Sequence, residues 1–384
     1  MDRSERTYDI AVLGATGFTG GLIAEYLASH APPAARLALA GRNLARVEQV
    51  GAGLPRPVGT VEVDIGDPAS VESLARSTRV LVTTVGPYLE SGEPVVSACA
   101  DAGTDYLDLT GEPEFLDLME LKYHGVAVRS GARLVHACGF DSMPHDLGVQ
   151  FTVDHLPEGV PLTVRAAVRV RGTVSGGTAA SALEIMARQR QAAAVHAVRA
   201  RVEPPRSGRV VRAVPGGVRW DPGLRSWLLP MPTIDPLVVT ASARALPRYG
   251  PDFTYCHQLA AGGTGRTIAT ATGIGAIFGL AQLPPARRAL LRLRPAGSGP
   301  TPAQRTRSSF AVRFVGEGGG VRVTTEVAGG DPGYTETSKM ISEAALSLAF
   351  DDLPPTSGQV TTAVAMGTTL RRRLERAGIT FRVA

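Results

Sequence analysis

The stretch LGATGFTGGLIAEYL, residues 13–27, decides the fold. The short apolar run at residues 9–13 predicts a strand buried in a parallel sheet, and the apolar residues that follow the glycines recur at helical spacing. Gly14 suits a tight turn, Gly17 leaves backbone N–H groups open to a pyrophosphate, and Gly20 allows close packing of helix on sheet. The N-terminus of the helix then faces the phosphates with its partial positive charge.

This glycine turn is therefore a candidate nucleotide site. Its candidate cofactor-binding residues are Gly14, Thr16, Gly17, Phe18, Thr19 and Gly20. Their GxxGxxG spacing differs from the GxGxxG of many NAD enzymes, so a plain strand–helix turn of an α/β domain is the alternative.

The composition is that of a globular protein, and its net positive charge does not by itself indicate binding to nucleic acid. The chain has 384 residues, enough for two or three domains, and a formal charge of +5. Only two of its 40 basic residues are lysines, a bias typical of a GC-rich genome, and the arginines are scattered among nearly as many acids. The run at residues 371–373 is interpreted as a solvated helix face. We therefore expect no nucleic-acid partner.

The cysteines and the N-terminus favour a cytoplasmic protein. Cys99, Cys138 and Cys256 are few, odd in number and far apart, so they predict neither a disulfide framework nor a zinc motif, and no metal is expected. The first ten residues, MDRSERTYDI, contain no signal-peptide core.

Residues 267–283 carry no charge, which raises the question of whether this segment enters a membrane. Glycines and threonines dilute its hydrophobicity, and 17 residues fall short of the roughly 20 that span a bilayer. We expect a buried piece of the core. The alternatives are an apolar wall for a greasy substrate or partner and, least favoured, attachment to a membrane.

The first 140 residues alternate strands and helices with a short period. Strands are predicted at residues 9–13, 36–40, 60–64, 80–85, 106–109 and 133–137, and helices at residues 44–50, 69–76, 94–102 and 113–130. This alternation predicts an α/β fold, a Rossmann-type doubly wound parallel sheet. Residues 150–335 have another rhythm, with strands at residues 163–171, 310–314 and 321–327, long loops with short strands at residues 203–236, and a surface connection at residues 293–300. They predict a second α+β domain with a mixed or antiparallel sheet, followed by helices at residues 340–348 and 361–376.

The residues that follow the second strand favour NADP(H). NAD sites usually place an acid there, whereas this chain has Arg42 after the small Gly41, which suits a ribose 2′-phosphate. An arginine that only ends a surface strand is the alternative. The further candidate cofactor-binding residues at the ends of strands are Arg42, Asn43, Asp64, Gly86 and Pro87, whereas Asp67 is expected to cap a helix.

Eight stretches along nearly the whole chain resemble the saccharopine dehydrogenase-like reductases, most closely the trans-acting enoyl reductase branch. They are GATGFTG (14–20), AGRN (40–43), TVGPY (84–88), GTDYLDLTGE (103–112), GFDSMPHDLG (139–148), SGGTAAS (175–181), GSGPTPAQR (297–305) and DPGYTETSKM (331–340). The resemblance implies an NADP-binding Rossmann domain at residues 1–140, a substrate and dimerisation domain at residues 150–335, and C-terminal helices at residues 340–384 that return to the first domain. It also implies reduction of C=C or C=N bonds, with the enoyl reductases serving a polyketide synthase that lacks its own reductase domain.

The C-terminal region departs from the family pattern. A GGVxTPA segment is expected there, but the chain reads SGQVTTAVAMG at residues 357–367, with Thr362 in place of the proline. If this helix entry borders the active-site cleft, the pocket differs from that of the enoyl reductases.

Reduction of a polarised double bond needs hydride from the nicotinamide and a proton at the other atom. The candidate catalytic residues are Tyr88, Asp141, Ser142 and His145. Tyr88 has the better location and His145 the better pKa, while Asp141 and Ser142 are equally suited to cap the next helix. Packing of Tyr88 and a structural role for His145 are the alternatives. Glu112 either reaches the cleft or stabilises the following helix.

Other enzyme classes have no support, because the short-chain dehydrogenase Tyr-x-x-x-Lys, the GxSxG elbow and the GxxxxGK loop are absent from the sequence. The sequence thus predicts an NADPH-dependent oxidoreductase acting on a small or carrier-protein-tethered enoyl thioester. Reduction of an imine, as in saccharopine formation, and a non-catalytic NADP(H)-binding regulator are the alternatives. A polyketide synthase partner and a homodimer are expected from the resemblance.

Overall fold

The computed structural model describes residues 5–172, 185–202, 208–231, 233–283 and 299–384. The chain forms two compact units. The first unit comprises Met1–Met143 and Tyr334–Ala377, and the second comprises Pro144–Gly333 and Gly378–Ala384. The stretch at residues 175–181 and most of the connection at residues 293–300 lie outside the described residues.

The strands of the described residues are numbered in chain order. They are β1 Tyr8–Leu13, β2 Leu37–Gly41, β3 Gly59–Glu62, β4 Thr78–Thr83, β5 Asp105–Leu107, β6 Arg133–Val135, β7 Leu162–Arg171, β8 Val210–Val214, β9 Arg219–Asp221, β10 Ser226–Pro230, β11 Asp252–Gly262, β12 Ser309–Gly318, β13 Val321–Gly329, β14 Gly358–Gln359 and β15 Thr380–Val383.

The helices of the same residues are α1 Phe18–His30, α2 Leu44–Ala52, α3 Pro68–Ser77, α4 Tyr88–Ser91, α5 Glu93–Ala102, α6 Pro113–Ser130, α7 Met143–Asp154, α8 Gln189–Val202, α9 Asp235–Ala245, α10 Thr264–Ala281, α11 Pro302–Arg305, α12 Thr335–Phe350, α13 Thr362–Ala365 and α14 Gly367–Arg376.

The first unit is built on a parallel sheet with the strand order β14-β6-β5-β4-β1-β2-β3. Ile10 of β1 lies opposite Leu37 of β2 on one side and Val80 of β4 on the other, and both pairings are parallel. Since β1 lies inside the sheet, all six of its residues except Tyr8 are buried. The predicted Rossmann-type fold is confirmed, and the end of β1 lies where the strand order reverses, the usual ligand site of such sheets.

Local signals explain where the helices of this unit begin and end. The Asp67 carboxylate accepts the Ala69 N–H at 3.1 Å and caps α3, as predicted. Gly103 and Gly131 end α5 and α6 in the left-handed conformation that glycine adopts without a steric penalty.

The second unit contains a mixed sheet with the order β15-β13-β12-β7-β11-β10-β9, and β8 also pairs with β11. β11 runs parallel to β7 and β8 but antiparallel to β10, while β12 is antiparallel to both β7 and β13. The predicted second sheet is therefore confirmed as mixed.

Two short strands at the C-terminal end were not predicted. Gly358–Gln359 forms β14, which adds a seventh parallel strand beside β6. Thr380–Val383 forms β15 and pairs with β13, so Gly378–Ala384 belongs to the second unit and not, as expected, to the first.

The expectation of a buried core for residues 267–283 is wrong. Thr264–Ala281 is a helix, α10, in which only Thr267 and Ala281 are buried, and the side chains of Ile268, Ile277 and Phe278 are at least 40% exposed. A cluster of neighbouring exposed apolar side chains of this kind is unusual on a monomer. Among the described residues, no helix combines the length and the hydropathy needed to cross a bilayer.

Candidate functional site

The glycine turn after β1 has the geometry that the sequence predicts. Gly14 has a φ of +88°, in the region that favours glycine, and its N–H donates to the Ala40 carbonyl at 2.9 Å. A Cβ on Gly20 would lie 2.2 Å from the Gly14 carbonyl oxygen, so α1 packs directly against the turn. Gly17 is exposed and caps α1 without a side-chain hydrogen bond. The first N–H groups of α1 therefore lie at an open helix end of the kind that binds phosphates.

Arg42 follows β2 on the same edge of the sheet. Its side chain is exposed and has no ion pair or hydrogen bond within the described residues. A Cβ on the preceding Gly41 would lie 4.0 Å from the Thr16 hydroxyl, which brings the end of β2 close to the glycine turn. The guanidinium is therefore available for an anionic group near this turn.

Two other predicted cofactor residues have local hydrogen bonds. The Asn43 side chain accepts the Arg46 N–H at 3.0 Å and caps α2. Asp64 is exposed, and its Oδ1 accepts the Gly66 N–H at 2.9 Å. Their contacts with a nucleotide stay predictions.

The turn after β4 is held by Glu112. Gly86 and Pro87 are exposed and joined by a cis peptide bond. The buried carboxylate of Glu112 accepts the backbone N–H groups of Tyr88 at 3.1 Å and Leu89 at 2.9 Å. Glu112 lies in the turn after β5 and therefore holds the turn after β4 in place. Neither of the two roles predicted for Glu112 from the sequence includes this contact.

Tyr88 is packed inside the fold, which is the alternative that the sequence left open to a phenol in the cleft. The side chain is buried. Its hydroxyl donates to the Thr83 carbonyl at 3.2 Å and accepts the Leu109 N–H at 3.1 Å. Burial, with the negative charge of Asp108 as the second cause, raises the pKa of Tyr88 well above its usual value. This tyrosine is a packed element that joins β4 to the end of β5.

Sequence reasoning missed a buried network around Asp108 in the first unit. Asp108 Oδ2 accepts from the Tyr106 hydroxyl at 3.0 Å and lies 2.6 Å from Nδ1 of His136. Asp108 Oδ1 accepts the N–H groups of Ala137 at 2.8 Å and Thr110 at 3.1 Å. The carboxylate thereby fixes the ends of β5 and β6, and the only sequence signal was an acid and a histidine after two strands.

Asp141 and Ser142 also belong to the first unit. The Phe140 N–H donates to the Thr337 hydroxyl at 3.0 Å, which anchors this segment to the start of α12. Asp141 is half-buried, and its Oδ2 would lie 3.6 Å from a Cβ on Gly111. Ser142 is 1% exposed. The structure thus brings Asp141 to the turn that carries Glu112 and buries Ser142.

His145 lies in the second unit, in a buried cluster with Asp235 and His257. Its Nδ1 is 2.8 Å from Asp235 Oδ1, and the His257 Nε2 is 3.5 Å from Asp235 Oδ2. Burial lowers the pKa of His257 to about 4, against the opposing effect of the Asp235 charge. His145 is thus a buried imidazole beside Asp235 and not an exposed proton donor.

The comparisons with known proteins agree with this geometry. Residues 10–135 match the family model described as the saccharopine dehydrogenase NADP binding domain. A Mycobacterium tuberculosis protein provisionally named as a trans-acting enoyl reductase is 37% identical, with 99% of this chain and 98% of that protein aligned. The rat saccharopine dehydrogenase-like oxidoreductase is 30% identical over 100% of this chain and 99% of its own.

A solved structure supports the fold alone. The saccharopine dehydrogenase (L-Glu forming) of Saccharomyces cerevisiae superposes with a TM-score of 0.54 at 10% identity, covering 98% of this chain and 100% of the yeast chain. The family model and these relatives make the chain an NADP-dependent oxidoreductase, and they support NADP(H) as its cofactor.

Proposed function

Because this chain belongs to the saccharopine dehydrogenase-like family of NADP-binding oxidoreductases, we propose that it is an NADPH-dependent enoyl reductase. In this proposal it transfers hydride to the polarised C=C bond of an α,β-unsaturated thioester. The observation that carries the cofactor part is the exposed Arg42 beside the glycine turn. The names of the full-length mycobacterial relatives support the substrate class.

The cofactor site uses backbone and side-chain charge together. The open N-terminus of α1 binds the pyrophosphate, with Gly14 and Gly20 keeping side chains out of the close approach. Arg42 binds the 2′-phosphate through its planar set of donors, a charge-assisted contact worth about 1.5–3 kcal/mol. When it is bound, NADPH supplies the hydride.

The residues of the first unit position the nicotinamide and the substrate. Glu112 holds the exposed Gly86–Pro87 turn through two backbone N–H groups, so the end of β4 presents a fixed surface to the nicotinamide ribose. Tyr88 acts as a positioning residue, since its hydroxyl is used inside the fold. The proton then comes from water or from another group, for which Asp141 and Ser142 are the candidates.

The same proposal includes a carrier-bound substrate and a polyketide synthase partner. An enzyme that reduces an enoyl thioester in trans must accept an intermediate that another enzyme makes and keeps attached. A phosphopantetheine thioester on a carrier protein fits this requirement, and the relatives' names support the mode of action.

A substrate panel tests the proposal. The purified chain is mixed with NADPH and one of three substrates: an enoyl thioester on a carrier protein, the same enoyl group on a short thiol, or an oxo acid with an amine. We expect NADPH oxidation with the enoyl thioesters, fastest for the carrier-bound form, and a saturated product by mass spectrometry.

Oxidation of NADPH only with the oxo acid and amine would reject the enoyl reductase and support an imine reductase. NADPH binding without turnover of any substrate would overturn the proposed activity in favour of a regulator.

A further inference from the structure

Three side chains with metal-binding chemistry meet inside the second unit. His145 lies on α7, Asp235 begins α9 and His257 lies on β11. All three are buried, with side chains 1–3% exposed. Burial of a carboxylate is costly unless a positive group compensates its charge. The negative charge of Asp235 is therefore expected to be compensated by a bound cation or by a proton shared among the three side chains.

The distances within the cluster suit a metal ion. One ligand atom from each of the three residues lies within 4.8 Å of the others. The Asp235 carboxylate approaches His145 Nδ1 to 2.8 Å through Oδ1 and His257 Nε2 to 3.5 Å through Oδ2. Tetrahedral Zn²⁺ with bonds of roughly 2.0–2.2 Å places neighbouring ligand atoms about 3.4 Å apart. Separations of up to 4.8 Å exceed this spacing by at most about 1.4 Å, so binding of an ion requires the side chains to close by that amount or less.

The surroundings orient two of these ligands. The Thr233 hydroxyl donates to Asp235 Oδ2 at 2.5 Å and fixes the carboxylate. The Tyr255 hydroxyl lies 3.2 Å from His257 Nδ1. When Nδ1 keeps its proton and donates it to this hydroxyl, Nε2 carries the lone pair that binds a metal. The buried Nε2 has no hydrogen-bond partner among the described residues.

We propose that His145, Asp235 and His257 bind one divalent first-row transition metal ion, with Zn²⁺ as the probe ion. Two imidazoles and one carboxylate are a donor set used for Zn²⁺ and for Fe²⁺, and they leave at least one coordination position for a further ligand. The ion would join α7, α9 and β11 in the interior of the second unit. This inference is independent of the proposed reductase activity.

The competing arrangement is a hydrogen-bonded His–Asp–His network without a metal. It uses the same three residues, but a protein with this network would retain no bound metal and would show no new visible absorption with Co²⁺. The two arrangements therefore differ in direct metal measurements, without any need for an activity assay.

The test uses the full chain. The protein is treated with a chelator, dialysed against Zn²⁺ and then against metal-free buffer, and its metal content is measured by plasma mass spectrometry. We expect about one Zn²⁺ per chain and a thermal midpoint raised by several degrees, since a ligand that binds only the folded state stabilises it. Co²⁺ in place of Zn²⁺ should give the visible absorption of a four- or five-coordinate N/O site.

Variants assign the ion to the cluster. His257→Gln and Asp235→Asn should each bind less than a tenth of the wild-type metal, and Tyr255→Phe should weaken affinity about 10–100-fold. His155→Gln is the matched control, because His155 also lies in the second unit and its ring lies against Phe151, with Nδ1 2.8 Å from the Phe151 carbonyl oxygen and the two rings edge to face. Circular dichroism and NADPH binding check that each variant is folded.

Three results would overturn the proposal. They are a wild-type chain that retains no metal and shows no Co²⁺ absorption, a folded His257→Gln chain with full stoichiometry, and an equal loss of metal in His155→Gln. A Co²⁺ spectrum with intense thiolate charge-transfer bands would place the ion at a cysteine and would reject the cluster as well.

Discussion

Replacing Gly20 by alanine tests how closely α1 must pack on the nucleotide turn. The new Cβ would lie 2.2 Å from the Gly14 carbonyl oxygen, 2.8 Å from its carbonyl carbon and 3.0 Å from the Ala15 Cα. All three are backbone atoms, so no side-chain rotation relieves the contact. The start of α1 and the turn after β1 must move apart, and the N–H groups proposed to bind the pyrophosphate move with them.

The adjacent Gly21 provides a control, because alanine there is expected to change the free energy of unfolding in the opposite direction. A Cβ there would meet only the Ala15 carbonyl oxygen, at 3.8 Å, an ordinary van der Waals contact. Gly21→Ala should stabilise the fold by about 0.5–1 kcal/mol, because alanine loses less backbone entropy in a helix. Gly20→Ala makes the same gain, but overpacking typically costs about 1–3 kcal/mol, so we expect a net loss of up to about 2.5 kcal/mol.

Two measurements on both variants decide the matter. Urea unfolding gives the change in midpoint, and fluorescence titration gives the NADPH dissociation constant. We expect Gly20→Ala to weaken NADPH binding at least about tenfold, which corresponds to 1.4 kcal/mol, and Gly21→Ala to change it little. If Gly20→Ala binds NADPH as tightly as the wild type and unfolds at the same urea concentration, the proposed close packing at this turn is wrong.

Three further substitutions address the cofactor, the proton and the acid stability of the first unit. NADPH should bind at least about tenfold more tightly than NADH, and Arg42→Asp should remove the preference; equal affinities in the wild type would reject this role. Tyr88→Phe should lower kcat by less than the 10²–10⁴ expected for a general acid, and a larger loss would restore Tyr88 as the proton donor. Burial raises the pKa of Asp351, but hydrogen bonds from Arg373 outweigh this and lower it below 3.8. Asp351→Asn should therefore cost about 1 kcal/mol near neutral pH, and this difference should vanish as acid protonates the carboxylate; a constant difference down to pH 2 would contradict the linkage.

The parts of the fold that local signals determine were predictable. The helix expected at residues 113–130 is α6, Pro113–Ser130, because a proline starts it and a glycine follows it. The strands of the first sheet lie within a few residues of the predicted ranges, and several end earlier than expected, as β3 does at Glu62. Apolar side chains continue beyond the last paired backbone groups, so hydrophobicity alone overestimates the carboxyl end of a strand.

Among the elements that escaped prediction, β14 and β11 did so for opposite reasons. β14 consists of Gly358 and Gln359 alone and pairs through its backbone, so no side-chain period exists to find. β11 is long and central, but it buries His257 and Gln258 in the interior of the second unit, which breaks the apolar pattern of a core strand. α10 shows the converse, because the hydropathy of its uncharged residues 267–281 cannot distinguish a buried helix from an exposed one.

The candidate sites differ in the same way. The glycine turn is contiguous, so residues 14–20 carry its whole signature. The contact of Glu112 with the turn after β4 is visible only when β4 and β5 lie side by side. The His145, Asp235 and His257 cluster depends on tertiary structure still more. His257 pairs with Ala166 in the parallel β7–β11 ladder, and parallel neighbours need a long crossover, which here contains α9 and Asp235. Metal motifs with short ligand spacing come from hairpins and single helices. A site built across a parallel crossover must instead draw its ligands from distant parts of the chain, so the absence of a zinc motif in the sequence does not argue against a metal at this cluster.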